Sequence, residues 1–441
     1  MGWKNRWWKH LRLKHRGAKE PGFFNPVIVC LVLWLLIQNL AYAAKPEYDT
    51  KTLPNGTQVI YKVLPQAKTV TVRIAFQAGL LTEPNSLRGI SHLMERLIHR
   101  GNQRITAEQF RSLVDYQGGS YYSFTTFNRT EYCLEVLPKD LLPALVALRE
   151  LLMQPEFAEP AIALEKKILT VENAMPATPD NTFFRNLNQL SEKQLQDSLQ
   201  GIHRDDLLQY HQRLYRPDLC KVIITGAFNP AEVFKLFAVS PAPVGKPAME
   251  VLPLPLQEAM SDTVLNDYLP GEQYQLLNSF ELRELSGKEL LVAKALPYIL
   301  NYVTHQYDHL TDRPLDYRIF LLNLSNRYFL IFQYRDCFVK YSPQIEQWHQ
   351  KNLERYFKYL NSTNFSPFLN SLAGGYDKYF GILGDNAADL NEYYDQILFE
   401  PTGISYQDAA ALRRLTPNDF KIFVRKYLQG QKSHKIVINA L

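Results

Sequence analysis

The chain has 441 residues, a net charge of +5 and 46% hydrophobic residues, enough for two sizeable domains with full cores. These figures exclude a small disulfide-stapled module and a disordered chain. The positive charge is concentrated at the start, because residues 1–43 hold seven Lys and Arg against one Glu. The rest of the chain is close to neutral, so overall charge gives no support for nucleic-acid binding.

Residues 1–43 have the order of a secretory leader. A basic stretch precedes an apolar run over 27–37, and a small-x-small pattern follows at 41–43. This order predicts a signal peptide and a periplasmic or secreted protein. Because apolar residues resume at Leu40, an uncleaved anchor in the inner membrane is the alternative.

In the first half of the chain after the leader, the sequence pattern predicts strands followed by helices. Residues 57–61 and 69–76 are rich in β-branched residues and predict two adjacent strands. Residues 89–101 carry apolar side chains at spacings of three and four, which predicts a helix with one buried face. Further predicted elements are a helix from Thr106 to about 116, two strands over 121–136, helices over 141–153, 160–173 and 205–214, and a strand over 221–225.

Two domains are predicted, at 44–240 and 261–441, joined by a proline-rich linker at 241–260. The helix-and-strand pattern that ends the first domain, over 206–225, recurs about 213 residues later. This weak repeat predicts two copies of one α+β domain.

The predicted helix over 89–101 carries a possible metal motif. Side chains four residues apart share one face of a helix, so ligands at 92 and 96 could close on one metal ion. His92 stands at the first position, and Glu95 could take a proton from metal-bound water. The pattern H-x-x-E-H has this geometry, but here Arg96 stands at the fifth position. A partly buried histidine beside a solvated carboxylate would give the same short pattern.

A longer set of residues gives this motif a context. The set is Ala78-Gly79, Glu83, residues 89–96, Gly101, 118–120, Thr125, Tyr132 and 154–157. With these residues the stretch 48–240 resembles the N-terminal domain of the pitrilysin/insulinase family of zinc metallopeptidases, in the style of its processing-peptidase and bacterial members. The resemblance implies an α+β fold of two homologous domains, each a mainly antiparallel sheet packed with helices.

The resemblance also implies site roles. His92 would be the first zinc ligand, Glu95 the general base and Glu172, which lies 76 residues beyond Arg96, the third protein ligand. Arg96 replaces the second ligand, and a guanidinium has only N–H donors and stays protonated. The metal site is therefore vestigial, with zinc expected only if the chain is an active enzyme. His99 lies ~10.5 Å further along the helix axis than His92, too far to share one zinc ion.

Arg96 is open to two interpretations. Its guanidinium could take the place of the metal and neutralise Glu95 and Glu172 in a structural ion-pair cluster. Alternatively, it could be an exposed arginine in a wet cleft.

Substrate contacts are predicted at two tyrosines. Tyr122 stands where the family usually has Asn, in a strand that pairs with the substrate backbone. The aromatic residues of this segment, Tyr121, Tyr122, Phe124 and Phe127, are either ordinary strand residues or an aromatic peptide-binding surface. In the second half, Tyr317 is the nearest match to a tyrosine that contacts substrate in the family, and packing is its alternative role.

Together, the resemblance and the altered motif predict a non-catalytic, peptide-binding subunit of a two-subunit periplasmic zinc peptidase. Such a chain would form a heterodimer with an active homologous subunit and hold an unfolded peptide. One alternative is an active zinc metalloendopeptidase with an unconventional ligand set. The other is a solitary peptide-binding or scaffolding protein.

Overall fold

In a computed structural model, the chain forms two β-sheets, each packed with helices. The structure describes residues 47–173, 192–239, 262–267, 273–283, 285, 287–305, 316–324, 326–360, 362–384, 386–399 and 402–440. The predicted leader at 1–43 and linker at 241–260 lie outside the described residues. Within these ranges, the search for a helix with the length and hydropathy of a membrane span finds none.

The first sheet has the strand order β1-β2-β6-β3-β5-β4. Its strands are β1 (Asp49–Thr52), β2 (Gln58–Val63), β3 (Val70–Phe76), β4 (Ser120–Thr125), β5 (Thr130–Val136) and β6 (Cys220–Gly226). Neighbours are antiparallel except for the parallel pair β2 and β6. The two strands predicted from β-branched content are present as β2 and β3, but the prediction that they are adjacent is wrong, because β6 lies between them in the sheet.

Helices of the first half pack against this sheet around a shared apolar core. They are α1 (Ile90–Ile98), α2 (Ala107–Val114), α3 (Leu141–Met153), α4 (Glu159–Asn173), α5 (Glu192–Gly201), α6 (Arg204–Leu214) and α7 (Pro230–Ala238). The helix predicted over 141–153 is confirmed residue for residue as α3. The predicted start at Thr106 is confirmed too, since its hydroxyl accepts a hydrogen bond from the backbone N–H of Gln109.

The second sheet has the strand order β7-β11-β8-β10-β9. Its strands are β7 (Thr263–Asp267), β8 (Gln273–Leu282), β9 (Asp316–Leu324), β10 (Arg327–Phe338) and β11 (His434–Ala440). The helices of this half are α8 (Gly287–His305), α9 (Ser342–Leu360), α10 (Phe365–Leu383), α11 (Ala387–Phe399), α12 (Tyr406–Leu412) and α13 (Pro417–Tyr427). A large aromatic and aliphatic core joins these helices to the sheet.

The two sheets repeat one topology. In the first, β6 lies parallel to β2 and antiparallel to β3. In the second, β11 lies parallel to β7 and antiparallel to β8. Strand β6 follows helix α6, and strand β11 follows helix α13. The two helix-and-strand segments of the sequence repeat therefore occupy equivalent places in the two sheets. The predicted α+β fold of two homologous, mainly antiparallel domains is therefore confirmed.

Helix α11 of the second half packs on the first sheet through a buried polar network. The side chain of Asn391 donates to the carbonyls of Thr71 and Ile223, at 2.9 and 3.1 Å, and accepts from Nε of Arg73 at 3.0 Å. One turn later, Asp395 accepts from Arg129 Nη2 at 3.0 Å. The strands of the first half carry the arginines, and α11 of the second half carries acceptors for them. Buried polar contacts therefore join the two halves.

Asn391 tests how much this network contributes to stability. We expect Asn391→Ala to lower the free energy of unfolding by about 2 kcal/mol, because it leaves the buried Nε–H of Arg73 without its acceptor. Urea denaturation of the purified protein measures the change. Gln396→Ala, on the exposed face of the same helix, is the matched control and should cost less than about 0.5 kcal/mol. Equal effects of the two substitutions would contradict this account.

Candidate functional site

Helix α1 is held in place by a buried carboxylate at its first turn. Glu83 accepts hydrogen bonds from the backbone N–H groups of Gly89 and Ser91, each at 3.0 Å. Gly89 has φ of 91°, a left-handed conformation that glycine adopts without strain. Burial raises the pKa of Glu83 despite these two bonds. A capped and anchored α1 fixes the direction of the face that carries positions 92 and 96.

Arg96 lies between two carboxylates of helix α4. Its Nε donates to Glu165 at 2.6 Å, and its Nη1 donates to both oxygens of Glu172, at 3.0 and 3.3 Å. Burial alone would lower the pKa of Arg96, but the bond to Glu165 and the charges of Glu165, Glu172 and Glu95 raise it above the usual value. Arg96 is therefore a fixed cation in an ion-pair cluster and not an exposed arginine in a wet cleft.

The partners of Glu95 differ from those expected. The sequence pointed to neutralisation of Glu95 by Arg96, but the carboxylate of Glu95 accepts hydrogen bonds from the hydroxyls of Ser123 and Thr125, the latter at 2.8 Å. Strand β4 places both hydroxyls on the side of the sheet that faces α1, since side chains alternate along a strand. Glu95 is only 6% exposed, so these bonds replace the water that would otherwise solvate it.

His99, at the C-terminal end of α1, extends this arrangement. Its Nε2 lies 2.6 Å from the hydroxyl of Ser123. Burial, followed by the positive charge of Arg96, lowers the pKa of His99 to about 4. The imidazole is neutral at neutral pH and links α1 to strand β4.

Glu165 is the residue of the cluster that sequence reasoning missed. It is 1% exposed and pairs with Arg100 as well as Arg96. Glu165 lies seven residues, or two helical turns, before Glu172, so both face α1. That spacing was visible in the sequence, but only the resemblance drew attention to a glutamate of α4, and it pointed to Glu172 alone.

The donor set around Arg96 does not fit a zinc ion. Catalytic zinc sites use three protein ligands with lone pairs, and here a permanent cation holds Glu172 while His92 is the one histidine of the motif. Within the described ranges, no group of three or more His, Cys, Asp or Glu side chains is placed to hold a metal ion.

The two tyrosines proposed to contact substrate lie in different surroundings. Tyr122 is 49% exposed on β4, and its hydroxyl accepts from Nη2 of Arg73 at 3.3 Å. Tyr317 lies on β9 of the second sheet, where its hydroxyl donates to the carbonyl of Asn301 at 3.1 Å and its ring contacts Trp348. The structure does not bring Tyr317 into contact with the residues around Arg96. Its role in substrate binding stays a prediction.

An open cavity of about 450 Å³ lies beside β4 and the ion-pair cluster. It is lined by Glu95, Arg96, His99, Arg100, Ala107, Phe110, Arg111, Val114, Asp115, Tyr121, Ser123 and Glu165. Strand β4 is at the end of the strand order, and no strand within the described residues pairs with its outer edge. The cavity and this edge together form a groove with charged walls, which we call the β4 groove.

Two family models together match residues 58–335. Residues 58–200 match the model described as insulinase, peptidase family M16, and residues 201–335 match the peptidase M16 inactive domain. The chain belongs to the M16 (insulinase) family. The first model contains α1, the cluster and the β4 groove, whereas the second begins just before α6 and ends within β10.

The curated relatives match less than half of the chain. A probable mitochondrial-processing peptidase subunit beta of Schizosaccharomyces pombe is 24% identical over 211 residues, covering 46% of this chain and 46% of the relative. An uncharacterized zinc protease of Rickettsia bellii is 23% identical, covering 43% of this chain and 49% of the relative. The chain thus spans about half the length of these two relatives. The name of the first contains a processing activity, and the name of the second contains zinc.

Solved structures share the whole fold at low identity. A protease from Helicobacter pylori has a TM-score of 0.74 at 16% identity and covers 90% of this chain and all of its own length. The periplasmic protease PqqL of Escherichia coli has a TM-score of 0.68 at 16% identity, covering 89% of this chain and 47% of PqqL. At this identity the likeness shows the fold alone.

The lowered pKa of His99 gives the stability of the protein a specific pH dependence. Between about pH 6.5 and pH 4 the unfolded chain binds more protons at this histidine than the folded chain does. The free energy of unfolding should therefore fall by up to about 3 kcal/mol as the pH drops through this window. We expect His99→Gln to remove that part of the pH dependence, as measured by urea denaturation at several pH values.

The exposed His203 provides the control for this prediction. His203→Gln should leave the pH dependence unchanged. A wild-type curve that coincides with the His99→Gln curve between pH 4 and 6.5 would show that His99 does not lose its proton on folding.

Proposed function

We propose that this chain is the non-catalytic, peptide-binding subunit of a two-subunit zinc peptidase of the M16 family. The observation that carries the proposal is the position of Arg96, whose guanidinium binds Glu165 and Glu172. A metal ion at that place would meet a fixed positive charge and a carboxylate already paired with it. The carboxylate of Glu95 accepts hydrogen bonds from the hydroxyls of Ser123 and Thr125.

Peptide binding is supported by the β4 groove. Within the described residues no strand pairs with the outer edge of β4, and an extended peptide can add to such an edge as a further strand through main-chain N–H and C=O groups. On the other face of β4 the rings of Tyr122 and Phe124 lie 6.3 Å apart and nearly parallel. The exposed ring of Tyr122 and the partly buried ring of Phe124 offer an apolar surface to alternate side chains of such a peptide.

A homologous partner is supported by the architecture of the similar proteins. PqqL is about twice as long as the part that this chain matches, and its first half alone matches this chain with a TM-score of 0.67 at 14% identity. This chain therefore corresponds in fold to about half of one periplasmic protease. By the same logic we propose that a separate homologous chain supplies the intact zinc motif here, and that the complex works in the periplasm, as the predicted leader also implies.

The role of Arg96 is tested by restoring the histidine. We expect purified wild-type protein to contain almost no zinc, whereas Arg96→His should bind about one zinc ion per chain, because His92, the new histidine and Glu172 would then provide three ligands. Arg96→Gln is the matched control, since it removes the same cation without adding a ligand. Elemental analysis after dialysis against zinc measures the metal content.

Cleavage assays on the same samples separate the alternatives. One zinc ion per wild-type chain, with cleavage of a quenched peptide library that Glu95→Gln abolishes, would overturn the proposal in favour of an active peptidase. For the partner, the chain should co-elute on size exclusion with a co-expressed homologue that carries an intact H-x-x-E-H motif. If peptides bind but no such homologue co-elutes, a solitary peptide-binding protein becomes the better description.

A further inference from the structure

We infer that the β4 groove binds peptides through a carboxylate, so that the bound segment carries an acidic side chain next to β4. This inference rests on the proposed function, because it assumes that a peptide occupies the groove. It is supported by the set of hydrogen-bonding groups that line the cavity. Most of the acceptors already receive hydrogen bonds from protein groups, whereas several of the donors have no protein acceptor among the described residues.

The acidic groups near Arg96 are already bound. Glu165 accepts from Arg96 and Arg100, and as a buried carboxylate it needs both. Glu95 accepts from the hydroxyls of Ser123 and Thr125. Little of the acceptor capacity on this wall is left for a ligand.

The donors are less completely used. Arg111 lines the cavity, and within the described residues no acidic side chain comes within ion-pair distance of it. Nη1 of Arg100 likewise meets no acceptor in this part of the chain, because the bonds to Glu165 use Nε and Nη2. Tyr121 also lines the cavity, but its hydroxyl is buried out of solvent and adds no donor for a ligand. A ligand that completes these groups must offer acceptors, and a carboxylate offers about four lone-pair positions.

One acidic residue of the cavity opposes such a ligand. Asp115 lines the same space, four residues after Arg111 and just beyond the end of α2. Asp115, Arg111 and Arg100 are all exposed, so solvent screens the repulsion by Asp115 and the attraction by the two arginines alike. The two arginines outnumber the one carboxylate. Asp115 therefore weakens the preference for an acidic ligand without reversing it, and its removal should increase that preference.

The direction of the β4 side chains determines which peptide residue reaches the cavity. Tyr121 and Ser123 line the cavity, whereas Tyr122 and Phe124 lie on the opposite face. A peptide paired with β4 alternates in the same way. Every second side chain of the peptide therefore points towards Arg100 and Arg111. The acidic side chain that the groove prefers lies at one of these alternate positions.

The test compares peptides that differ in one group. The probes are fluorescent heptapeptides of sequence Thr-Val-Thr-X-Thr-Val-Thr with both ends blocked, where X is Glu or Gln, and binding to the mature full-length chain is followed by anisotropy. We expect the Glu peptide to bind about tenfold more tightly, the lower end of the range for charge-assisted hydrogen bonds because the cavity is open. A Gln peptide with a free C-terminus shows whether a terminal carboxylate serves equally well.

Variants of the chain assign the effect to the cavity. Arg111→Gln should remove most of the difference between the Glu and Gln peptides, and Asp115→Asn should enlarge it. Arg104→Gln is the matched control, because Arg104 is an exposed arginine that pairs with Glu150 at 3.0 Å and does not line the cavity. It should leave the difference unchanged.

The outcomes separate this inference from the proposed function. If the wild-type chain binds the Glu and Gln peptides equally, peptide binding stands and the carboxylate preference is wrong. If the preference exists but survives in Arg111→Gln, the carboxylate lies elsewhere and the inference is also wrong. If neither peptide binds, the peptide-binding function fails, and this inference fails with it.

Discussion

The arrangement of the site depends on one buried carboxylate. Glu165 of α4 lies almost completely out of solvent, and such a charge persists only if cations and hydrogen bonds compensate it. Arg96 of α1 and Arg100, two residues beyond the end of α1, provide that compensation and hold this segment against α4. The same arginine that stands in place of the second motif histidine is thus also a structural element. Its replacement by histidine therefore leaves Glu165 with Arg100 as its one cation within the cluster.

The second constraint is the sharing of polar groups between the two halves. Helix α11 brings Asn391 and Asp395 against the strands that carry Arg73 and Arg129. Burial, together with the charge of the neighbouring Glu131, raises the pKa of Asp395 to about 9. Strand β5 extends from this network to β4, so the edge that we propose for peptide binding is attached to a sheet that both halves stabilise.

Local structure followed from the sequence, whereas the contacts of the site did so only in part. The spacing of apolar residues predicted α1 and α3, and β-branched residues predicted β2 and β3, because these signals are local. The ion pair of Arg96 with Glu172 joins residues 76 apart, and it could be proposed only because a resemblance placed both in one motif. The hydrogen bond from the Ser123 hydroxyl to Glu95 was not predicted. Nothing in the local sequence of a strand of small and aromatic residues indicates which carboxylate will lie opposite it.

The position of β4 at the sheet edge has a consequence for the protein in isolation. An unpaired strand edge is a template for any extended chain, including another copy of the same protein. Natural edges are commonly protected by charged residues, proline or a bulge, but β4 has the sequence Ser-Tyr-Tyr-Ser-Phe-Thr and pairs in regular register with β5. The feature that makes β4 suitable for recognition thus also makes it a place where self-association and aggregation can begin when nothing covers it.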